Sequence, residues 1–320
     1  MTLVRAGGTG EIGVQAFIKA VGAGKKRARN LARAEAAAAM RALLATRDEA
    51  QVGAFLLAMR MKGETGDELA GFVDALGGPG GPTARPGAHP QVDVDAHGDG
   101  REGRPSLLPA AAILAARAGL DVLVRVDASG VRSRQHVAAV LAALLPHPGV
   151  RASNLETEQP DLKRLLDMRA RVGVRTFVNS LVKLWSPRAA PVRVVGIFHG
   201  PYHEPMARAL ALLGVRGLVV QAPGGLPEPP PDKPCKLTSA EAPEHTVTFD
   251  PRGFGDPVDQ GALPEVATAA ETLALNQAAL DGRRGAARKA ALLGAATLLT
   301  AAGLARDLHA GFSTLAQGLQ

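Results

Sequence analysis

Apolar positions recur at helical spacing through the first part of the chain. Between Glu11 and Gly22, Ile12, Phe17, Ile18 and Val21 fall on one side of a predicted helix, which Gly22 and Gly24 end. A second helix is predicted over about 33–45. A third runs over about 49–61, where Val52, Phe55, Leu56 and Met59 form an apolar stripe, and Gly63 ends it. Asp67 is the expected cap of a fourth helix reaching Leu76. The stretch GGPGGPTARPGAHP at 77–90 can carry neither a helix nor a central strand, and it marks the expected boundary between a helical domain over 1–76 and an α/β domain over 91–320. Beyond it the pattern changes. Short β-branched runs at 122–126 (VLVRV), 193–198 (RVVGIF) and 217–221 (GLVVQ) alternate with alanine- and leucine-rich helical stretches, which predicts parallel strands joined by crossover helices. A proline-rich loop interrupts the alternation at 223–234, and helices return from about Pro264.

Composition narrows the class. The 320 residues are 46% hydrophobic and 21% charged, as in an ordinary globular protein. The alanine-rich run from Ala290 to Ala305 is too short to span a bilayer comfortably and reads as a buried helix, so no membrane association is expected. A single cysteine, Cys235, excludes an intrachain disulfide framework and fits a reducing cytosol; with no leader-like opening at Met1, a cytoplasmic location is expected. The net charge of +7 changes the picture most, because it favours phosphorylated or polyanionic partners.

The cations are clustered. Lys25, Lys26, Arg27, Arg29 and Arg33 place five positive charges in nine residues with no acid among them, at the turn between the first two predicted helices. Arg101 and Arg104 flank a glycine turn, Arg125, Arg132 and Arg134 follow or lie in the VLVRV strand, and Arg283, Arg284, Arg288 and Lys289 precede the last apolar helix. A solvated helix face is the bland alternative for the first cluster, and entry to a buried helix through a polar first turn for the last. His199 and His203 are separated by Gly200 and Pro201, which argues against a helical metal pair, and no Ser–His–Asp or Cys–His arrangement is suggested by spacing. Phe177 and Trp185 read as core residues.

Three long stretches carry a family resemblance: RAEAAAAMRALL through QVGAFLLAMRMKGETGDELAGFVDAL, RARVGVRTFVNSLVKLWSPRAAPVRVVGIFH, and LDGRRGAARKAALLGAATLLTAAG. The chain resembles the anthranilate phosphoribosyltransferases and their nucleoside phosphorylase relatives. That resemblance implies a helical bundle domain, completed by helices from about 162–190, and a larger α/β domain with a mainly parallel central sheet. It also implies pairing into homodimers through the helical domain, for which the faces at 11–21 and 49–61 would serve, and it matches Arg169 by position to an arginine that contacts the aromatic acid, retained together with Arg175 and Asn179, a structural role being the alternative.

The family's donor site is altered in four places. GTGGDG becomes DAHGDG, so that Gly98, Asp99 and Gly100 remain as a vestigial phosphate loop while Asp95, Ala96 and His97 stand where small residues would let backbone approach a phosphate. The NIST hydroxyls are replaced in RPSLLP, which keeps only Ser106. KHGN becomes VRVD at about 124–127, and the magnesium-binding GxDE becomes GGLPE, with Pro227 for the first acid and Glu228 for the second. A highly charged leaving group needs backbone donors, hydroxyls and cations to hold it, so these changes predict a protein without catalytic residues, resident cofactor or metal. The chain is similar to a subgroup of the superfamily that binds nucleic acid. The leading expectation is therefore a non-catalytic protein that holds DNA or RNA phosphates, with little sequence preference, through Lys25, Lys26, Arg27, Arg29, Arg33, Arg101, Arg104, Arg125, Arg132, Arg134, Arg283 and Arg284. The alternatives are a divergent magnesium-dependent phosphoribosyltransferase using Gly98–Gly100 and Glu228, and a dimeric adaptor.

Overall fold

The protein is described by a computed structural model covering residues 13–24, 26–77, 91–98, 103–127, 132–188, 190–255 and 261–318, with backbone alone at 132–135. Four helices come first: α1 (Val14–Val21), α2 (Arg33–Ala45), α3 (Glu49–Lys62) and α4 (Gly66–Ala75). The cap of α4 differs from expectation. Thr65, not Asp67, accepts the Glu68 N–H while Glu68 reaches back to the Thr65 N–H, because Ser or Thr followed three residues later by Glu satisfies two orphan donors at once.

The second part is β1 (Gln91–Asp95), α5 (Leu108–Arg117), β2 (Asp121–Val126), α6 (Arg132–Leu144), β3 (Val150–Asn154), α7 (Leu155–Glu158), α8 (Pro160–Val172), α9 (Val178–Leu184), β4 (Val192–Ile197), α10 (His203–Leu212) and β5 (Arg216–Gln221). It closes with β6 (Cys235–Ser239), β7 (Thr246–Phe249), α11 (Ala269–Leu280), α12 (Ala286–Ala302) and α13 (Leu308–Gly318). The seven strands form one sheet in the order β3-β2-β1-β4-β5-β6-β7, parallel through β5 and antiparallel at β6 and β7. The expected helical bundle with a mainly parallel α/β domain is thus the observed fold.

Both faces of the sheet are covered, as a parallel sheet requires. Val194 and Val195 are neighbours on β4 yet belong to different apolar clusters. Val194 packs with α5, α12 and α13; Val195 packs with a cluster that runs on through α10, α9 and α8 into α1–α4. Val14, Phe17, Val21, Val52, Phe55, Leu56 and Met59 are all buried in this second cluster, so the stripes named for a dimer contact serve the chain's own core. The run around Ala290 is the buried helix α12, and no helix among the described residues is long and apolar enough to cross a membrane.

Candidate active site

On β1, alternation sends Val92 and Val94 to one face of the sheet and Asp93 and Asp95 to the other, where α9 lies. Two acids on a fully buried face demand partners. Arg125 and Arg193 stand beside Asp95 and Asp93 in the strand register. Arg125 donates from Nε to Asp93 Oδ1 and from its two terminal nitrogens to the carbonyls of Val182, at 2.6 Å, and Lys183, at 2.7 Å. Arg193 donates to the Leu184 carbonyl, and burial draws its guanidinium down to about 10. Two buried arginines therefore take the carbonyls that the C-terminal end of α9 leaves open.

Asp95 closes this layer at the carboxyl end of β1. Its Oδ1 accepts the His97 N–H at 2.8 Å and lies 2.9 Å from His97 Nδ1, and its Oδ2 is 3.2 Å from Lys183 Nζ. Lys183 also donates to the Gly196 and Gly225 carbonyls, each at 2.7 Å. Burial alone would raise the Asp95 carboxyl, but Lys183, together with His97 and Arg125, outweighs it and holds the group far below the usual carboxylate range. A Cβ on Gly196 would lie 2.4 Å from the Gly225 oxygen, and one on Gly98 would lie 2.6 Å from it. The 223–228 loop is thereby seated directly on the ends of β1 and β4.

The same loop delivers Glu228 to the start of α5. Its Oε2 accepts the Ser106 hydroxyl at 2.7 Å and its Oε1 accepts the Leu107 N–H at 2.7 Å, so an internal carboxylate occupies the positive end of the helix. Burial pushes the Glu228 carboxyl above the usual range despite those bonds. Asn276 of α11 fixes the helix from the other side, donating to the Ser106 carbonyl and accepting the Ala110 N–H, both at 2.9 Å.

Outside the carboxyl ends of β4 and β5, where open α/β sheets place their ligands, lies a cleft with two lobes that share Arg175, Phe198 and Gly224. The inner lobe, about 300 Å³, reaches toward the helical domain past Asn179, Ser180, Lys183, His199 and Tyr202. The outer lobe, about 750 Å³, opens toward Lys233 and Lys236. Glu64, from the KGET stretch, backs the inner lobe: it accepts the Ser180 hydroxyl at 3.3 Å and hydrogen-bonds Tyr202, and burial raises its carboxyl above the usual range.

Several residues named from sequence are not where a phosphate backbone could reach them. Arg125 is 1% exposed and serves as a buried structural cation, a correction to its assignment as a binding residue. Arg29 forms a bidentate pair with Glu35 at 2.7 and 2.8 Å, and Arg33 one with Asp74 at 2.7 and 2.9 Å, so much of the charge in the turn is neutralised by acids that the fold brings alongside. Lys26 and Arg27 are exposed on that turn, and Arg283 and Arg284 on another, where Arg283 lies 3.9 Å from Asp281. Arg104 is half-buried near Glu228. Lys25, Asp99, Gly100 and Arg101 lie outside the described residues, as do the side chains of Arg132 and Arg134. Gly98 is present at the loop contact described above, and Arg175 and Asn179 line the inner lobe together, whereas Arg169 is not among its lining residues. Sequence reasoning missed Asp93, Lys183 and Arg193, and the available signal was the alternation of valine and aspartate in QVDVD, which proved to be the buried strand β1.

Comparison with known proteins places this geometry among enzymes. Residues 15–76 match the glycosyl transferase family helical bundle domain, and residues 140–320 match the glycosyl transferase family a/b domain. The chain is 35% identical over 299 residues to the anthranilate phosphoribosyltransferase of Moorella thermoacetica, covering 88% of this chain and 87% of that protein. It is 34% identical over 315 residues to that of Myxococcus xanthus, covering 91% of each. The crystal structure of anthranilate phosphoribosyltransferase from Thermus thermophilus superposes with a TM-score of 0.78 at 27% identity, over 94% of this chain and 93% of that one. The enzyme from Saccharomyces cerevisiae in complex with PRPP and Mg shares the fold, with a TM-score of 0.76 at 15% identity, over 96% of this chain and 93% of that one. These similarities overturn the expectation of a non-catalytic DNA- or RNA-binding protein: the relatives are metabolic enzymes. The buried or paired state of Arg125, Arg29 and Arg33 removes part of its physical basis as well.

Proposed function

The chain belongs to the anthranilate phosphoribosyltransferase-like glycosyl transferase family, and from that premise we propose that it is a divergent phosphoribosyltransferase acting on a small aromatic acceptor. The observation that carries this reading is the inner lobe of the cleft, where Arg175, Asn179 and Ser180 converge with Phe198, His199 and Tyr202 at the carboxyl end of the sheet. A planar acidic acceptor needs an aromatic wall and a cation for its carboxylate, and this lobe supplies both. In the transfer, the acceptor's nitrogen bonds to the anomeric carbon as the bond to the diphosphate oxygen breaks. Diphosphate leaves with the bonding electrons and the acceptor loses a proton. Glu64, coupled to the lobe through Ser180 and Tyr202 and raised toward neutrality, is suited to receive that proton through those hydroxyls.

A resident magnesium ion does not fit the described residues. Pro227 offers no side-chain oxygen where the family's first acid stands, and both oxygens of Glu228 are engaged by Ser106 and Leu107. Among the described residues no group of three or more His, Cys, Asp or Glu could hold a metal.

The test is diphosphate release from 5-phosphoribosyl 1-diphosphate in the presence of anthranilate or a related aromatic amine, with and without magnesium as the donor's counter-ion. Acceptor-dependent release that R175A abolishes is the expected result. Release that never exceeds the rate without acceptor would remove the transferase reading.

A further inference from the structure

The outer lobe of the cleft, which shares Arg175 and Phe198 with the inner lobe, is the larger of the two. It is bounded by Arg175, Lys233 and Lys236, with Phe198, Pro223 and Pro234 as apolar walls, and among the described residues no carboxylate lines it. Lys233 and Lys236 form no ion pair with a described residue, unlike Lys183, Arg125, Arg29 and Arg33, which are all neutralised by acids. The one thiol facing the cavity, Cys235, is pushed up to about 12 by burial and so contributes no opposing charge. The Lys236 charge is felt inside the protein, where burial and Lys236 both lower the His203 imidazole. Phe198 projects into the opening with 52% of its surface exposed, beside His199 in an edge-to-face contact.

An open cavity of this size, lined by no acid among the described residues and carrying two cations without an ion pair to a described residue and an exposed ring, is built for an anion that carries a flat apolar group. We propose that the outer lobe is a separate binding site for a phosphate monoester of an aromatic or heterocyclic group, its phosphate held between Lys233 and Lys236 and its ring against Phe198. Phosphate is favoured over carboxylate because the ammonium groups of Lys233, in the loop before β6, and Lys236, on β6, match a dianion better than a monoanion, and lysine binds phosphate as a point charge without needing a planar fork. The site also differs in place from the start of α5, which Glu228 already fills. The inference does not need the transferase reading, since binding at Lys233 and Lys236 is expected whether or not transfer occurs, although Phe198 also borders the inner lobe.

The test uses the full chain and isothermal titration calorimetry with 1-naphthyl phosphate, inorganic phosphate and 1-naphthol at low ionic strength. Naphthyl phosphate is expected to bind at least tenfold more tightly than either half-molecule. The double variant K233E/K236E, altered only at exposed side chains, is expected to weaken naphthyl phosphate at least tenfold while leaving the melting temperature and any diphosphate release unchanged. F198A is expected to weaken naphthyl phosphate and leave inorganic phosphate unaffected. The proposal is overturned if the wild-type protein shows no preference for naphthyl phosphate, or if K233E/K236E binds it as well as the wild type does. Loss in F198A alone would assign the ligand to the inner lobe and overturn it too.

Discussion

The carboxylate of Glu228 receives the hydroxyl of Ser106, 122 residues earlier in the chain, at 2.7 Å. This contact joins the loop after β5 to the residues just before α5 and decides what the altered donor site can do. An anion arriving at the helix must displace a carboxylate that is already bonded to a hydroxyl and a backbone N–H.

The acidity of Glu228 gives the first prediction. Its carboxyl is raised in the folded protein, so the native state binds the proton more tightly than the unfolded chain does. By linkage, this group's contribution to stability is full below the unfolded carboxyl value, falls as pH rises through the interval up to the raised folded value, and is constant above it. Glu228→Gln keeps the shape and removes the titration. The difference in melting temperature between E228Q and the wild type is expected to grow in favour of E228Q as pH rises from about 4 to 7. A difference that is flat with pH would show that Glu228 is not desolvated at the helix.

Asp95 behaves in the opposite sense. Its folded carboxyl is held low, so its stabilisation is present above the unfolded value and is lost as pH falls below about 4. Removing the charge leaves Lys183 buried and short of its counter-ion, which costs about 3–5 kcal/mol in comparable pairs. Asp95→Asn is therefore expected to lower unfolding stability by that order in urea titrations. D95N/K183M should recover part of the loss, because an apolar replacement removes the stranded charge. Equal destabilisation in single and double variants would mean that the two groups do not act as a pair.

The legibility of the chain follows from how local each signal is. The helices α2 and α3, and the buried α12, were readable because their apolar residues repeat over several turns. The strand β3 (VRASN) and the antiparallel pair β6 and β7 were not, since Arg151, Lys236 and Thr246 face outward and interrupt any apolar run. The changes in DAHGDG and GGLPE were visible in sequence, but that Lys183 would answer Asp95 and Ser106 would answer Glu228 depends on contacts across 88 and 122 residues, respectively. Likewise, the turn at 25–33 reads as an uncompensated basic cluster only until the fold brings Asp74, 41 residues on, against Arg33.

Glu64 supplies a prediction about activity. A proton acceptor must be ionised to work, and this carboxyl is raised by burial, so the acid limb of the pH–rate profile is expected to lie above the ordinary glutamate range. Glu64→Gln is expected to reduce kcat by about 10²–10⁴-fold and to flatten that limb, with KM for the acceptor little changed. Ser180→Ala breaks the link more gently and should shift the limb to higher pH, because the Ser180 hydroxyl lowers the Glu64 carboxyl. A profile unmoved by either change would show that Glu64 only supports the cleft wall.

The approach of α4 to α2 sets the last prediction. A Cβ on Gly71 would lie 2.2 Å from the Arg33 carbonyl oxygen and 2.8 Å from the Ala36 Cβ, distances no real packing tolerates. The clash falls on backbone, so it cannot be relieved by a rotamer change. It requires the two helices to move apart, which would also stretch the Arg33–Asp74 pair that ties them together. Leu69, Phe72 and Val73 are fully buried around this contact, and separating the helices would loosen that part of the core. Gly71→Ala removes a helix-interior glycine and on propensity alone should stabilise α4 by about 1 kcal/mol. The steric term is larger, typically about 1–3 kcal/mol for an added methyl that displaces backbone. The net expectation is a lower melting temperature for G71A, whereas Gly53→Ala at the half-buried Gly53 of α3, where an added Cβ meets nothing within 4 Å, should raise it. Stabilisation of both variants would contradict the close helix contact.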